Sequence, residues 1–291
     1  MSVGTYYAVG SAVDAFLLSL RLQGRSPRTL AYYSHVLGRL SRTFPGRSVK
    51  EVVAQTIPYL ADLADTGIAP ASLNVYLSVL KSFTHWLETE GTIRHDPLDR
   101  IKARSVKPVP IRPFTPSEIE RLLDAAGQPF EQAILLLLLD TGLRSSELAT
   151  LRMDDIDLKD STIHVLGKGG KIRFLALNPM PKVALLSYMG GRAADDGLLW
   201  PADWNGKRLA YMLDRIARRA KVSGVHSHRF RHHWAMRCRM QGMDSLTLRV
   251  LGGWSSLTMV ERYTEAIAAE HALQEHRRYA LTADRLPAAP L

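Results

Sequence analysis

Five short stretches carry side chains suited to holding and attacking a phosphate. The first is Thr141-Gly142-Leu143-Arg144-Ser145-Ser146-Glu147-Leu148, which sets an arginine just after a glycine break and a glutamate three residues on. An arginine on the shoulder of a helix can grip a phosphate with two parallel hydrogen bonds, helped by free backbone N–H groups. Taken alone the signal is weak, because most surface arginines bind nothing. Glu147 reads either as a carboxylate that orients nearby cations or as a solvated helix residue. The second stretch is Gly167-Lys168-Gly169-Gly170. Glycines on either side let the backbone approach a ligand and let the ammonium project, where it can protonate a leaving alkoxide. A plain turn lysine is the simpler reading of that stretch by itself. Nucleotide hydrolysis is rejected, since a phosphate loop needs Gly-Lys-Ser/Thr between a strand and a helix.

The third stretch holds His226, His228, His232 and His233 among Arg229, Arg231, Arg237 and Arg239. His228 and His232 are four apart, so a helix would put both on one face, as in a zinc site. No glutamate accompanies them, and four arginines oppose a dication. A proton-transfer imidazole at His228 beside a phosphate-gripping Arg231 suits the charge better. The fourth is Leu251-Gly252-Gly253-Trp254-Ser255, where the Trp254 indole has one N–H to donate. A core tryptophan under a turn is the competing reading. The fifth is Tyr263, nine residues beyond Trp254. Its hydroxyl is a possible nucleophile only by virtue of its place after the other four.

These stretches need a scaffold. Val13 to Leu20 reads as a first helix. Ser26-Pro27 opens a second with Leu30, Tyr33, Leu37 and Leu40 on one face. A third spans about Ile57 to Ala64, and a fourth begins near Pro70 and carries Leu73, Tyr76, Leu77, Leu80, Phe83, Trp86 and Leu87. About four helices thus form an all-α first domain. From Asp96-Pro97 onward, charge alternates with proline through Arg100, Lys102, Arg104, Lys107 and Pro113. Proline removes donors and holds the chain extended, so this stretch is not expected to pack as a core. Its cations suit either phosphate contact or a solvated hinge. Thr115-Pro116-Ser117-Glu118 has the form of a capping box opening a second domain. A buried helix follows over Phe130 to Leu139 and stops at Thr141-Gly142. Ser161–Leu166 and Lys171–Leu177 read as a β-hairpin with Lys168 near its tip. A basic amphipathic helix around Leu209, Leu213 and Ile216 precedes the histidine stretch.

Composition agrees with an anionic partner. The 291 residues include 38 Lys+Arg against 28 Asp+Glu, a net charge of +10. Such an excess favours polyanions by counterion release, although a merely basic enzyme has the same balance. Cys238 is the only cysteine, so no internal disulfide forms, which fits a reducing cytoplasm. No signal peptide is expected. The longest aliphatic run, Ile134 to Leu139, is far short of the ~20 residues that span a bilayer, so no membrane association is expected.

In their order, the five stretches together make a specific set. The chain resembles the tyrosine recombinase, or phage integrase, family, including the Xer and Cre recombinases. The resemblance covers the whole second domain, with a first domain of matching size and helical content. It implies a mainly α fold with a small β-hairpin or sheet. A helical core-DNA-binding (SAM-like) domain would occupy 1–104, a basic Pro-rich linker 105–113, and a catalytic domain with a C-terminal helix 114–291. The two domains would close on DNA as a clamp. Arg144 and Arg231 would grip the scissile phosphate, Lys168 would protonate the departing 5′ oxygen, and His228 would assist proton transfer. Tyr263 would become a 3′-phosphotyrosine, and Glu147 would orient the cations. Trp254 departs from the histidine many members carry; it keeps a donor but cannot shuttle a proton. Two guanidiniums and an indole stabilise the charge that builds on phosphorus oxygens, so neither metal nor ATP is implied.

Further expectations follow from the same resemblance. The partner would be double-stranded DNA with short inverted-repeat sites, with Arg100, Lys102, Arg104 and Lys107 as linker contacts. A homotetramer on DNA is expected, alone or with a partner recombinase, and 265–281 would be the helix that docks on a neighbour. No extra N-terminal domain for arm-type sites is expected. The alternatives are a type IB topoisomerase with similar chemistry and a regulator that kept the fold without catalysis.

Overall fold

The structure is a computed structural model that describes residues 8–106, 112–167, 170–190, 197–264, 272–273 and 276–277. For 262–264 the description covers the backbone alone. The chain forms two compact units, Met1–Pro108 and Val109–Leu291.

In the first unit lie α1 (Val9–Leu22), α2 (Pro27–Thr43), α3 (Val49–Ala54), α4 (Thr56–Asp65) and α5 (Pro70–Thr89). Ser26 caps α2 by accepting the Thr29 N–H, and Pro27 fills the first helical position, where no amide partner is needed. The core gathers Phe16, Val36, Leu37, Leu40, Leu80, Phe83 and Leu87, with the Phe16 ring 5.4 Å from both Phe83 and Trp86. Among the described residues this unit has five helices rather than about four. The additional one, α3, is six residues of Val-Lys-Glu-Val-Val-Ala. Its β-branched residues disfavour a helix locally, but Val49, Val52 and Val53 are buried and Ser48 and Glu51 complete a capping box, so packing overrides propensity.

The expectation that the chain beyond Asp96 does not pack is corrected as far as Arg104. The Asp96 carboxylate accepts the Leu98 N–H at 2.8 Å, and this turn drives Leu98 fully into the first core. Ile101 packs against the same core. Asn74 of α5 both accepts from and donates to the Arg104 backbone at 2.8 Å. Arg100, Lys102 and Arg104 remain exposed on this anchored strip, while Lys107 lies outside the described residues.

The second unit is helical around a small antiparallel sheet. It contains α6 (Pro116–Ala125), α7 (Pro129–Thr141), α8 (Ser145–Ala149), β1 (Ile156–Asp157), β2 (Thr162–Leu166), β3 (Ile172–Ala176), α9 (Pro179–Gly190), α10 (Gly206–Ala220), α11 (Ser227–Met240), α12 (Ser245–Gly252) and α13 (Leu257–Thr264). The capping box at Thr115 and Glu118 is present. Helix α7 is buried nearly all round, and its one buried acid, Glu131, is neutralised by Arg215 and Arg219 of α10 at 2.5 and 2.6 Å. The sheet runs β1-β2-β3; β1 is too short for any alternation to show in sequence. Among the described residues no helix is long and apolar enough to cross a membrane.

Gly142 ends α7 with φ +59°, and a Cβ there would lie 2.2 Å from the Trp234 ring. Both the left-handed backbone and the close approach demand glycine. Gly142→Ala is therefore expected to cost on the order of 3 kcal/mol in a denaturant titration of the full chain. Gly24→Ala, at φ +75° with open space around it, should cost only about 1 kcal/mol. Equal losses would contradict the packing argument.

Candidate active site

The turn after α7 delivers Arg144 to the N-cap of α8, where its backbone N–H donates to Glu147 Oε2 at 2.8 Å. Arg144 Nη1 donates to Glu147 Oε1 at 2.7 Å, and Nη2 donates to the Gly253 carbonyl at 2.7 Å. The Arg144 side chain is 36% exposed, so it faces solvent while its base is fixed. Arg231, on α11, comes from a different direction. Its Nη1 donates to the Gly142 carbonyl at 2.7 Å and its Nη2 to the Gly252 carbonyl. The two guanidiniums, from α8 and α11, thus meet on consecutive carbonyls of one glycine pair.

That glycine pair is shaped by Trp254. A Cβ on Gly252 would lie 2.0 Å from the Trp254 ring, and Gly253 takes φ +61° as the C-cap of α12. Trp254 is buried with Trp234, Cys238, Leu248 and Val260, its ring 6.0 Å from that of Trp234. The Arg231 guanidinium sits 4.2 Å from the Trp254 ring centroid, a cation–π contact. Trp254 therefore forms a floor beneath Arg231.

His228 and His232 lie on one face of α11, ring centroids 4.7 Å apart and edge to face, with His226 6.4 Å from His228. His226 caps α11 by accepting the Arg229 N–H on Nδ1 at 3.2 Å. Burial, then the charges of His226, Arg231 and Arg144, hold the His228 imidazole below its ordinary pKa. Burial and the neighbouring His228, His226 and Arg231 lower His232 to about 4. Neutral imidazoles spare this cation-rich pocket further charge, and a neutral His228 is able to accept a proton. Of the four arginines in this stretch, Arg229 is buried over the Phe114 ring and paired with Glu118. Arg237 pairs with Asp140, and Arg239 donates to the Met243 carbonyl.

The structure thus brings together Arg144, Glu147, His228, Arg231 and Trp254. Lys168 lies outside the described residues, although β2 and β3 form the expected hairpin on either side of it. Tyr263 stands on α13, and its side chain is likewise outside the described residues. So is 265–281, apart from 272–273 and 276–277.

One residue of the site escaped the sequence reading. Arg173 of β3 is 8% exposed, forks onto Glu147 at 3.0 and 2.8 Å, and donates from Nε to the Leu251 carbonyl at 2.7 Å. Burial opposes the charge on Glu147, but the hydrogen bonds from Arg173 and the Arg144 amide outweigh it and bring its pKa to about 2. A signal was available. Strand alternation puts Arg173 on the same inward face as Leu175, where an arginine needs a partner.

Comparison with known proteins agrees with this geometry. Residues 112–270 match the phage integrase family, and residues 13–91 match the phage integrase N-terminal SAM-like domain. A tyrosine recombinase XerC from Oceanobacillus iheyensis is 28% identical over 293 residues, covering 92% of this chain and 93% of the relative. Two solved structures share the fold. One is a Tn1549 transposon integrase in complex with a circular intermediate DNA, with TM-score 0.74, 19% identity and coverage of 94% of this chain and 99% of that one. The other is a lambda integrase dimer bound to a COC′ core site, with TM-score 0.73, 20% identity and coverage of 89% and 78%. The chain belongs to the phage integrase family of tyrosine recombinases and is a site-specific DNA recombinase. Topoisomerase-like relaxation and an inactive regulator, weighed on the sequence, are set aside by that assignment.

The depressed histidines make stability depend on pH. Above pH ~6.5 His232 and His233 are neutral whether folded or unfolded. Their folded pKa values are about 4, so between about 6.5 and 4 the unfolded chain takes up protons that the folded chain refuses. Stability should therefore fall as pH drops from 7 to 5, read as a lower thermal midpoint. The double variant His232→Asn, His233→Asn should show a shallower decline. A midpoint unchanged across that range in the wild-type chain would contradict the assignment.

Proposed function

We propose that this recombinase cuts each DNA strand by attack of the Tyr263 hydroxyl on a phosphodiester. The phenolic oxygen forms a bond to phosphorus as the P–O5′ bond breaks. The phenolic proton passes toward His228, and Lys168 supplies a proton to the departing 5′ oxygen. A 3′-phosphotyrosine holds the strand until the 5′ hydroxyl of another strand reverses the step, so no ATP is consumed. Arg144 and Arg231 neutralise the charge that grows on the non-bridging oxygens, the kind of stabilisation that usually contributes most to such reactions. Trp254 keeps the Arg231 guanidinium oriented from beneath its plane.

The observation that carries this reading is the meeting of Arg144 and Arg231 on the consecutive carbonyls of Gly252 and Gly253. A phosphate presents two non-bridging oxygens, and guanidiniums brought this close from two segments suit one anion shared between them. The partner in this reading is double-stranded DNA with short inverted repeats, clamped between the domains of 1–104 and 114–291 through the linker 105–113. Arg100, Lys102, Arg104 and Lys107 would lie along its backbone. Four copies would assemble on two sites, each C-terminal segment docking on a neighbour, alone or with a partner recombinase. A cytoplasmic place of action belongs to the same reading.

Duplexes recovered from a random pool by binding to the chain provide the substrate once nicked near the cleavage point. Wild type should give an adduct with DNA that survives denaturing electrophoresis, and Tyr263→Phe should give none. An adduct of equal yield with Tyr263→Phe would overturn the assignment. The rate of adduct formation should fall as pH drops, with a midpoint below that of an ordinary imidazole, because burial and nearby cations hold the His228 pKa under its ordinary value. His228→Gln should be slow across the whole range.

A further inference from the structure

We infer that Arg173 is a positioning residue of the cleavage step, holding Glu147 and, through it, the guanidinium of Arg144. The inference rests on the reading that Arg144 grips the scissile phosphate. Arg173 occupies a core-facing position of β3, opposite Val165 in the sheet register, where an aliphatic side chain would pack without any need of partners. Burying a guanidinium there is unfavourable unless every gain is used. Arg173 does use them. Its two terminal nitrogens bridge both oxygens of Glu147, and its Nε reaches the Leu251 carbonyl in the last turn of α12.

The carboxylate it holds is the one that sets Arg144. Glu147 Oε1 receives Arg144 Nη1 as well as Arg173 Nη1, and Oε2 receives the Arg144 backbone N–H as well as Arg173 Nη2. Arg144 by itself gives each Glu147 oxygen one donor, the amide on Oε2 and a partly exposed side chain on Oε1. With Arg173 behind it, each oxygen has a fixed donor and the carboxylate plane is locked. The same arginine ties together three segments that deliver parts of the site. These are α8 with Arg144, the β3 side of the hairpin that bears Lys168, and the end of α12 that leads to Gly252, Gly253 and Trp254. The fit is close. A Cβ on Gly253 would come within 3.2 Å of Arg173 Nη1 and 3.3 Å of Arg144 Nη1, so the chain there lies directly against both guanidiniums. Arg173 itself is buried behind Glu147 and touches no substrate in this account.

The test is a mutant cycle on single-turnover cleavage of the nicked duplex, with DNA affinity and thermal midpoint measured in parallel. Arg173→Met should slow cleavage by about 100-fold, the scale of a misplaced reacting group, while DNA affinity stays within about threefold. Arg173→Lys keeps the charge but cannot bridge both oxygens and Leu251, and should lose about tenfold. The double variant Arg144→Ala, Arg173→Met should be no slower than Arg144→Ala alone beyond about threefold, because both act through one group. Losses that multiply in the double variant, or Arg173→Met cleaving within about twofold of wild type, would overturn the inference. Should Arg173→Met fail to fold, Arg173→Lys cleaving at the wild-type rate overturns it equally. A wild-type rate for Arg144→Ala would instead remove the phosphate-grip reading beneath it.

Discussion

One buried carboxylate organises the catalytic unit. Glu147 accepts four hydrogen bonds, from the Arg144 amide, the Arg144 side chain and both arms of Arg173. A carboxylate at 7% exposure survives only with its charge matched and its lone pairs filled, and both conditions are met. The consequence reaches beyond stability. Helix α8 is only five residues long and would fray by itself, yet it must present Arg144 in one orientation. Glu147 provides that constraint by joining the helix start to Arg173 of the sheet, which in turn reaches the end of α12.

The glycine pair after α12 is the complementary constraint. Its carbonyls receive Arg144 and Arg231, the two arginines proposed to hold the phosphate, and its lack of side chains lets Trp254 fold back beneath Arg231. Arg231 is 2% exposed, and such a charge needs carbonyl dipoles and an aromatic face around it. The neighbouring His228 and His232 are held below their ordinary pKa first by burial and then by the positive charge around them. Positive charge is thereby concentrated in the two arginines proposed to hold the phosphate, and withheld from the imidazole proposed to take the proton.

Much of this was legible in the sequence because its signals are local. Thr115 and Glu118 spell a capping box, Gly142 stops a buried helix, and glycines around Lys168 mark a hairpin; each depends on residues a few positions apart. The mainly α fold with a small antiparallel sheet followed from such signals. Features that escaped are held by distant partners. Helix α3 forms from valines because they are buried, and Leu98 packs because Asp96 turns the chain into the first core. Arg173 looked like one more basic residue of a basic chain, and its meaning comes from a glutamate 26 positions earlier. The sequence suggests Trp254 only as a donor to phosphate; the packing of its ring under Arg231 is a contact that spacing alone does not reveal.

The account requires that two guanidiniums from α8 and α11 serve a single phosphorus. The most direct measurement is a crystal structure of Tyr263→Phe bound to an intact duplex carrying its site. The result expected is Arg144 and Arg231 each within about 3.2 Å of non-bridging oxygens of one phosphate, with the residue 263 ring edge opposite the 5′ oxygen. Arginines bound to different phosphates, or a residue 263 side chain packed away from the DNA in every copy, would contradict it.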